Sequence, residues 1–425
     1  VDRNSLDGTN AGPPEFLEPG DPLSGDGVTM KHLFLFALML MPAVADAQTS
    51  ADFFDSQNLQ EVRLFINSRD LRDLRERYTD NTYYPADFLW RGVRIRNVAV
   101  RVRGLSTRSG TKPGLRIDFN RYVTGQTFLG LSSVVLDNVL NDASQIRERI
   151  SMGFIDHMGQ PASRESVGRL YINNAYQGFY TFVEAVDASY LARTLGENAG
   201  YLFDYHFTTG FYGEDLGDDL QAYKLHFEPQ THRLDPDTIL YSPIRDLFRE
   251  INHDVDAAWR DRVGEYIDLP QFVTYLAIET FLSEDDGFLG TAGMANFYLY
   301  RPSDRNAHRL LPWDRDTALQ QIDSPIFNRV ENNVLARRAL AFADLRSLYL
   351  DVLEQCARAA ADDRWLEREV DRVSGLVKDV VHEDAFKTIS NEQFDEGIAF
   401  LLNFAAQRPG YVLAEVAKAR TASAR

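Results

Sequence analysis

The stretch WRGVRIRNVAVRVR, Trp90 to Arg103, sets valine and isoleucine against arginine at alternating positions. A period of two held over so many residues is the mark of a strand with one buried and one wet face, and it predicts an antiparallel sheet. Working outward, EVRLFIN (Glu61 to Asn67) and LRIDF (Leu115 to Phe119) read as further strands. RDLRDLRERY (Arg69 to Tyr78) has Leu71 and Leu74 at helical spacing, and residues 144–158 carry apolar side chains at helical intervals. Gly168 to Ile172 and Gly178 to Val183 flank Asn173-Asn174-Ala175-Tyr176-Gln177 and predict a hairpin.

Beyond residue 188 the pattern changes. Leu269 to Phe281 is a helical segment opened by Asp268 and Pro270, a polar cap and a first-turn proline. NFYLYR (Asn296 to Arg301) and RLLPW (Arg309 to Trp313) predict two short strands joined by a polar turn. Residues 334–422 are almost all helical in pattern, with breaks expected around residues 382–390 and at Pro409-Gly410. Sheet first and helices afterwards is an α+β order, with a sheet-rich part over 48–187, a helix-rich part over 188–425 and a ligand cleft expected between them.

The chain has 425 residues, 44% of them hydrophobic, a single cysteine and a net charge of −18. Such a field repels phosphate backbones and argues against nucleic acid as a partner. A lone cysteine, Cys356, excludes an internal disulfide framework and a cysteine-built zinc site, and its helical surroundings predict a buried thiol. Met30-Lys31-His32, the apolar run Leu33 to Met41, Pro42 and Ala45-Asp46-Ala47 follow the order of a secretory signal over 30–47. The mature protein is therefore expected to begin at Gln48 and to be secreted, periplasmic or at the cell surface. The apolar run is too short to remain as a membrane span. Residues 1–29 are expected to be non-native or disordered.

Four polar groups suited to a polyphosphate occur in chain order. Arg103 to Pro113 is a Gly/Ser/Thr-rich loop ending in Lys112, and backbone N–H groups of such a loop can converge on phosphate oxygens. Glu148 sits near a helix start, where it could pair with Lys112. Asp285-Asp286 follows the apolar helix, with Asn296 ten residues on from Asp286, and Asp314 and Asp316 leave a short strand. An acid at a helix-to-loop exit can accept a hydroxyl proton, and hard oxygen ligands suit magnesium. Each acid alone is as well explained by a capping or turn role. Their order, lysine, Glu, then Asp, Asn and Asp, matches the inventory of phosphoryl transfer.

At Val100 to Gly104 with Ser106, Arg108 and Lys112; Asp142, Ser144 and Arg147-Glu148; Leu170 to Asn173 with Tyr176 and Gly178; Val183-Glu184; Asp286 with Asn296 to Tyr300; and Pro312 to Asp316, the sequence resembles the CotH kinase family. The resemblance implies a two-lobed, protein-kinase-like fold, a sheet-rich lobe over a helical one, with ATP and Mg2+ or Mn2+ between them. It implies Lys112 on the ATP phosphates, with Arg108 in the loop, Glu148 orienting the lysine and Glu184 near the adenine. Asp286 becomes the catalytic base, Asn296 and Asp314 the metal ligands, and Asp316 an additional ligand.

The sequence departs from the family where Pro113 follows Lys112, so that Arg116, the next cation, could share the phosphate contact. Asp285 competes with Asp286 for the role of base. The implied reaction is transfer to Ser or Thr of an exported protein acceptor. The alternatives are a non-protein acceptor such as a glycan, or an adhesion or coat-assembly protein that keeps the fold without the chemistry. His206, His226, His232 and His253, with Asp204, Glu214, Asp215, Asp218 and Asp219, lack zinc spacing and are read as a solvated or substrate-facing loop.

Overall fold

The computed structural model describes residues 48–256 and 258–423, so the expected signal and the segment before it lie outside the described residues. Seven strands form a closed barrel in the order β1-β2-β3-β4-β5-β7-β6: β1 Gln60–Ile66, β2 Tyr84–Trp90, β3 Val93–Val102, β4 Leu115–Asp118, β5 Ser133–Asp137, β6 Glu165–Ile172 and β7 Ala175–Glu184. Neighbours pair antiparallel except β1 with β6, the parallel seam that closes the barrel. Gly168 permits that closure, since a Cβ there would lie 1.9 Å from the Gln60 carbonyl oxygen. Asn173 and Asn174, both with positive φ, make the β6–β7 turn, the backbone geometry that a two-residue hairpin favours.

The barrel interior is apolar. Phe53, from the short helix Ser50–Phe53, enters it with ring centroids 5.1 Å from Phe128 and 5.5 Å from Trp90. Truncating one such ring to alanine costs about 3–5 kcal/mol. Trp90 keeps its one polar atom satisfied by donating Nε1–H to Gln60 Oε1 at 2.9 Å.

A second sheet has the order β11-β10-β8-β9, with β8 Tyr201–Tyr205, β9 Phe227–Pro229, β10 Phe297–Arg301 and β11 Arg309–Pro312. It shares the larger core with the helix Leu269–Phe281 and the helices Ala343–Ala361, Trp365–Glu383 and Asn391–Ser423. The α+β class therefore holds. The sheet-rich part is a closed barrel, and residues Gln48–Arg425 form one compact unit, not a clear pair of lobes divided near residue 188.

The break expected at Pro409-Gly410 does not occur, because the helix Asn391–Ser423 runs through it. Proline removes one N–H from that helix, but the neighbouring Arg408 is fully buried. Its guanidinium donates to the carbonyls of Thr280, Phe281, Ile322 and Ser324 at 2.6–3.0 Å. The bonds to Thr280 and Phe281 satisfy the carboxyl end of the helix Leu269–Phe281, just before the loop that carries Asp286.

Candidate active site

A cleft of about 490 Å³ lies between the barrel wall and the second sheet. One side presents Arg101, Arg103, Arg108 and Arg116, and the other presents Asp204, His206, Glu228, Asn296 and Asp314. The arginine wall follows from strand periodicity: Arg101 and Arg103 are two residues apart and share a face. In the β3–β4 ladder Arg101 stands directly opposite Arg116. Like charges so placed repel, and the Arg101 guanidinium donates instead to Tyr83 Oη at 3.1 Å and Asn81 Oδ1 at 3.3 Å. The arginines taken from sequence as a wet strand face thus line a cleft.

Arg108 is held in the loop. Its Nε donates to Gly104 O at 2.7 Å, and its other nitrogens donate to Thr79 O and Asn81 Oδ1, each at 2.6 Å. Arg116 donates to Ser133 Oγ at 3.1 Å.

The expected Lys112–Glu148 pair does not form. Lys112 is buried with its Nζ 2.8 Å from Asp384 Oδ2, beneath the Tyr180 ring. Asp384 also accepts from the N–H groups of Phe179 and Phe386. Burial pulls the Lys112 ammonium below its usual pKa, and Asp384 counteracts that pull. The lysine clamps the loop after the helix Trp365–Glu383 to the barrel and does not line the cleft. Arg103 is the cation at the acids: it bonds Asp137 at 2.9 Å and lies 3.8 Å from Asp314.

Glu148 starts the helix Arg147–His157, whose first turn is held by Asp142: Oδ1 accepts from Ser144 N–H and Oδ2 from Arg147 N–H. Glu148 is 5% exposed, and its carboxylate accepts no hydrogen bond from a described residue. Burial first, then Glu165, Asp314, Asp137 and Asp316, push its pKa well above the ordinary range. Burial likewise pushes Glu165 up to about 8 and Asp316 up to about 9, the latter with help from Asp314. Asp314 also rises through burial, with Arg103 opposing. Two buried carboxylates, Glu148 and Glu165, beside the half-buried Asp314 and Asp316 fit oxygen-preferring divalent cations.

Glu184 does not join the cleft. It is buried in β7, where Arg164 lies at 2.7 Å and Arg193 completes its pairing, so its carboxylate is already satisfied. Asp286 and Asn296 do meet. Asn296 Nδ2 donates to Asp286 O at 2.8 Å and to Asp286 Oδ2 at 3.1 Å. The intervening loop folds back on itself, with Ala295 N–H donating to Gly287 O at 2.9 Å.

Glu279 accepts from Phe288 N–H and is bonded by Arg315 at 2.8 Å, while Glu284 accepts from Asp286 N–H at 3.0 Å. These bonds fix the turn bearing Asp286. Burial raises the Asp286 pKa and the Asn296 bond opposes the rise. Asp285 is engaged elsewhere, 2.6 Å from Arg329. Asn296 and Asp314 both hold positive φ, 56° and 53°, a conformation that short polar residues tolerate and that concentrates at working sites.

Asp137 and Asp384 were not singled out in sequence, since each acquires its partner from a distant segment. Asp204 and His206 lie on β8 and its extension, not in a solvated loop.

Among known proteins, the inner spore coat protein H of Bacillus subtilis (strain 168) is 24% identical over 366 residues, covering 84% of this chain and 98% of that protein. The crystal structure of a Helicobacter pylori proinflammatory kinase, CtkA, is similar over 72% of this chain and 95% of that one, at 12% identity and a TM-score of 0.27. The family model described as CotH kinase protein matches residues 100–412, most of the chain, and the protein belongs to that family.

Proposed function

We propose that the protein is a metal-dependent kinase that transfers the γ-phosphoryl group of ATP to a Ser or Thr hydroxyl of an exported protein. The observation carrying this reading is the meeting of Asn296 with Asp286, and of Asp314 with the arginine wall, around one cleft. Family membership supports it. Arg101, Arg103, Arg108 and Arg116 take the phosphates, the role first assigned to Lys112. Asn296 and Asp314, with Asp316 behind them, would hold Mg2+ or Mn2+, and Glu148 belongs with these acids. When bound, the ion neutralises phosphate charge.

Asp286 accepts the proton of the acceptor hydroxyl as that oxygen bonds the γ-phosphorus. The bond from the γ-phosphorus to the bridging oxygen breaks, and ADP leaves. Its raised pKa makes the carboxylate a better proton acceptor while Asn296 keeps it oriented. The barrel and the second sheet are the two lobes of this reading.

Incubation with γ-labelled ATP, Mg2+ or Mn2+ and a Ser-rich acceptor should label the acceptor, and Asp286→Asn should not support labelling. Equal labelling by that variant removes Asp286 as base. The name of the Bacillus relative, a spore coat protein, favours a second reading as a coat-assembly protein without catalysis. Absence of any thermal shift with millimolar ATP and Mn2+ would support it.

A further inference from the structure

The Asp204, His206 and Glu228 side chains take no part in the transfer just described. Asp204 on β8 and Glu228 on β9 are direct partners in an antiparallel ladder, so both carboxylates rise from the same face. The ladder continues past β8, with His206 N–H donating to His226 O at 2.7 Å. His206, two residues from Asp204, therefore returns to that face. One ligand atom from each residue lies within 4.8 Å of the other two, the only such trio of His, Cys, Asp or Glu among the described residues. All three line the cleft opposite the arginines.

Two carboxylates directly across a strand pair repel, and the charges near them are His206, Arg103 and Arg116 for Asp204 and His206 and Arg233 for Glu228. His206 Nε2 lies 3.2 Å from Glu228 Oε2, while the Asp204 carboxylate accepts no hydrogen bond and forms no ion pair with a described residue. An imidazole nitrogen with two carboxylate oxygens is a donor set for Mn2+ or Zn2+, whereas Mg2+ prefers oxygen alone. Three protein ligands leave coordination positions open to water or to an anion in the cleft.

We propose that Asp204, His206 and Glu228 form a divalent transition-metal site on the wall of the cleft that faces Arg101, Arg103 and Arg116, separate from the Asn296–Asp314 position. The ion's affinity does not depend on the kinase reading. Its role rests on it: a polyphosphate in the cleft would lie between this ion and the arginines.

The full-length protein, stripped with chelator and then titrated with Mn2+ without nucleotide and followed by electron paramagnetic resonance, tests the site. Calorimetry with Zn2+ is the second measurement. The expected result is one class of bound ion that weakens on the order of 100-fold in His206→Ala and in Glu228→Gln but persists in Asp314→Asn. Melting temperatures of the chelated His206→Ala and Glu228→Gln proteins should match the parent, since these two side chains are half-exposed. The proposal is overturned if the parent binds neither ion at micromolar concentration, if His206→Ala binds as well as the parent, or if only Asp314→Asn loses the ion. Binding that depends on His206 in a protein that never labels an acceptor would sink the kinase reading and leave this site standing.

Discussion

Arg101 on β3 is the direct register partner of Arg116 on β4, two cationic residues on one rung of the barrel ladder, the Arg101 guanidinium bonded to Tyr83 and Asn81 and that of Arg116 to Ser133. Such a rung costs stability. Arg116→Ala should therefore leave the ligand-free protein as stable as the parent, or more stable by up to about 1 kcal/mol. The same change should shrink the rise in melting temperature on adding ATP with Mn2+. An undiminished rise would remove Arg116 from the phosphate site.

Lys112 is expected to matter for folding and not for ATP. Lys112→Met leaves Asp384 buried without its cation, at a cost of about 3–5 kcal/mol. Adding Asp384→Asn should recover most of that loss in urea melts. The double variant should also retain the ATP-dependent thermal shift. If it folds as stably as the parent and no longer responds to ATP, the placement of Lys112 outside the cleft is wrong.

Asp286 and Asp314 should separate by phenotype. Asp286→Asn is expected to lower labelling by about 10²–10⁴-fold while the thermal shift with ATP and metal persists, since only the proton acceptor is lost. Asp314→Asn should abolish both, yet melt higher than the parent in chelator, because it removes a carboxylate that burial disfavours. An Asp314→Asn protein that melts lower in chelator would contradict the view that this acid awaits a cation.

His308 supplies a pH test remote from the cleft. It is fully buried, its Nδ1 2.6 Å from Tyr266 O, and burial lowers its pKa to about 4. The unfolded chain takes up a proton near the ordinary value of about 6.5, while the folded protein resists until about 4. The His308 contribution to stability is thus complete above pH 6.5 and is lost progressively as pH falls toward 4, to a total on the order of 3 kcal/mol. His308→Gln should flatten that part of the stability profile, and an unchanged slope would assign acid sensitivity to other groups.

Local pattern made much of this molecule legible. Alternation in WRGVRIRNVAVRVR reports on neighbours a few residues away, and the structure has the strand from Val93 to Val102, with Trp90 in the preceding strand and Arg91-Gly92 turning between them. The hairpin is present too, with only Asn173-Asn174 in its turn and Ala175 to Gln177 already in the strand. The capped helix Leu269–Phe281 and the strands after it were likewise readable, because caps and periodicity are short-range. Asp286 and Asn296 were named from order alone, and the loop between them closes to bring them together.

The amino-acid order by itself determined the residue types, many of the secondary elements and the chain order of the acids. Which cation faces which acid was decided only by tertiary structure. Packing of the second sheet opposite β3 and β4 turned a wet strand face into the wall of a cleft, and the loop after the helix Trp365–Glu383 brought Asp384 to Lys112, leaving Arg103 for Asp314. Electrostatic pairing depends on distance through space, and segments hundreds of residues apart carry no local mark of the partner that folding will bring them.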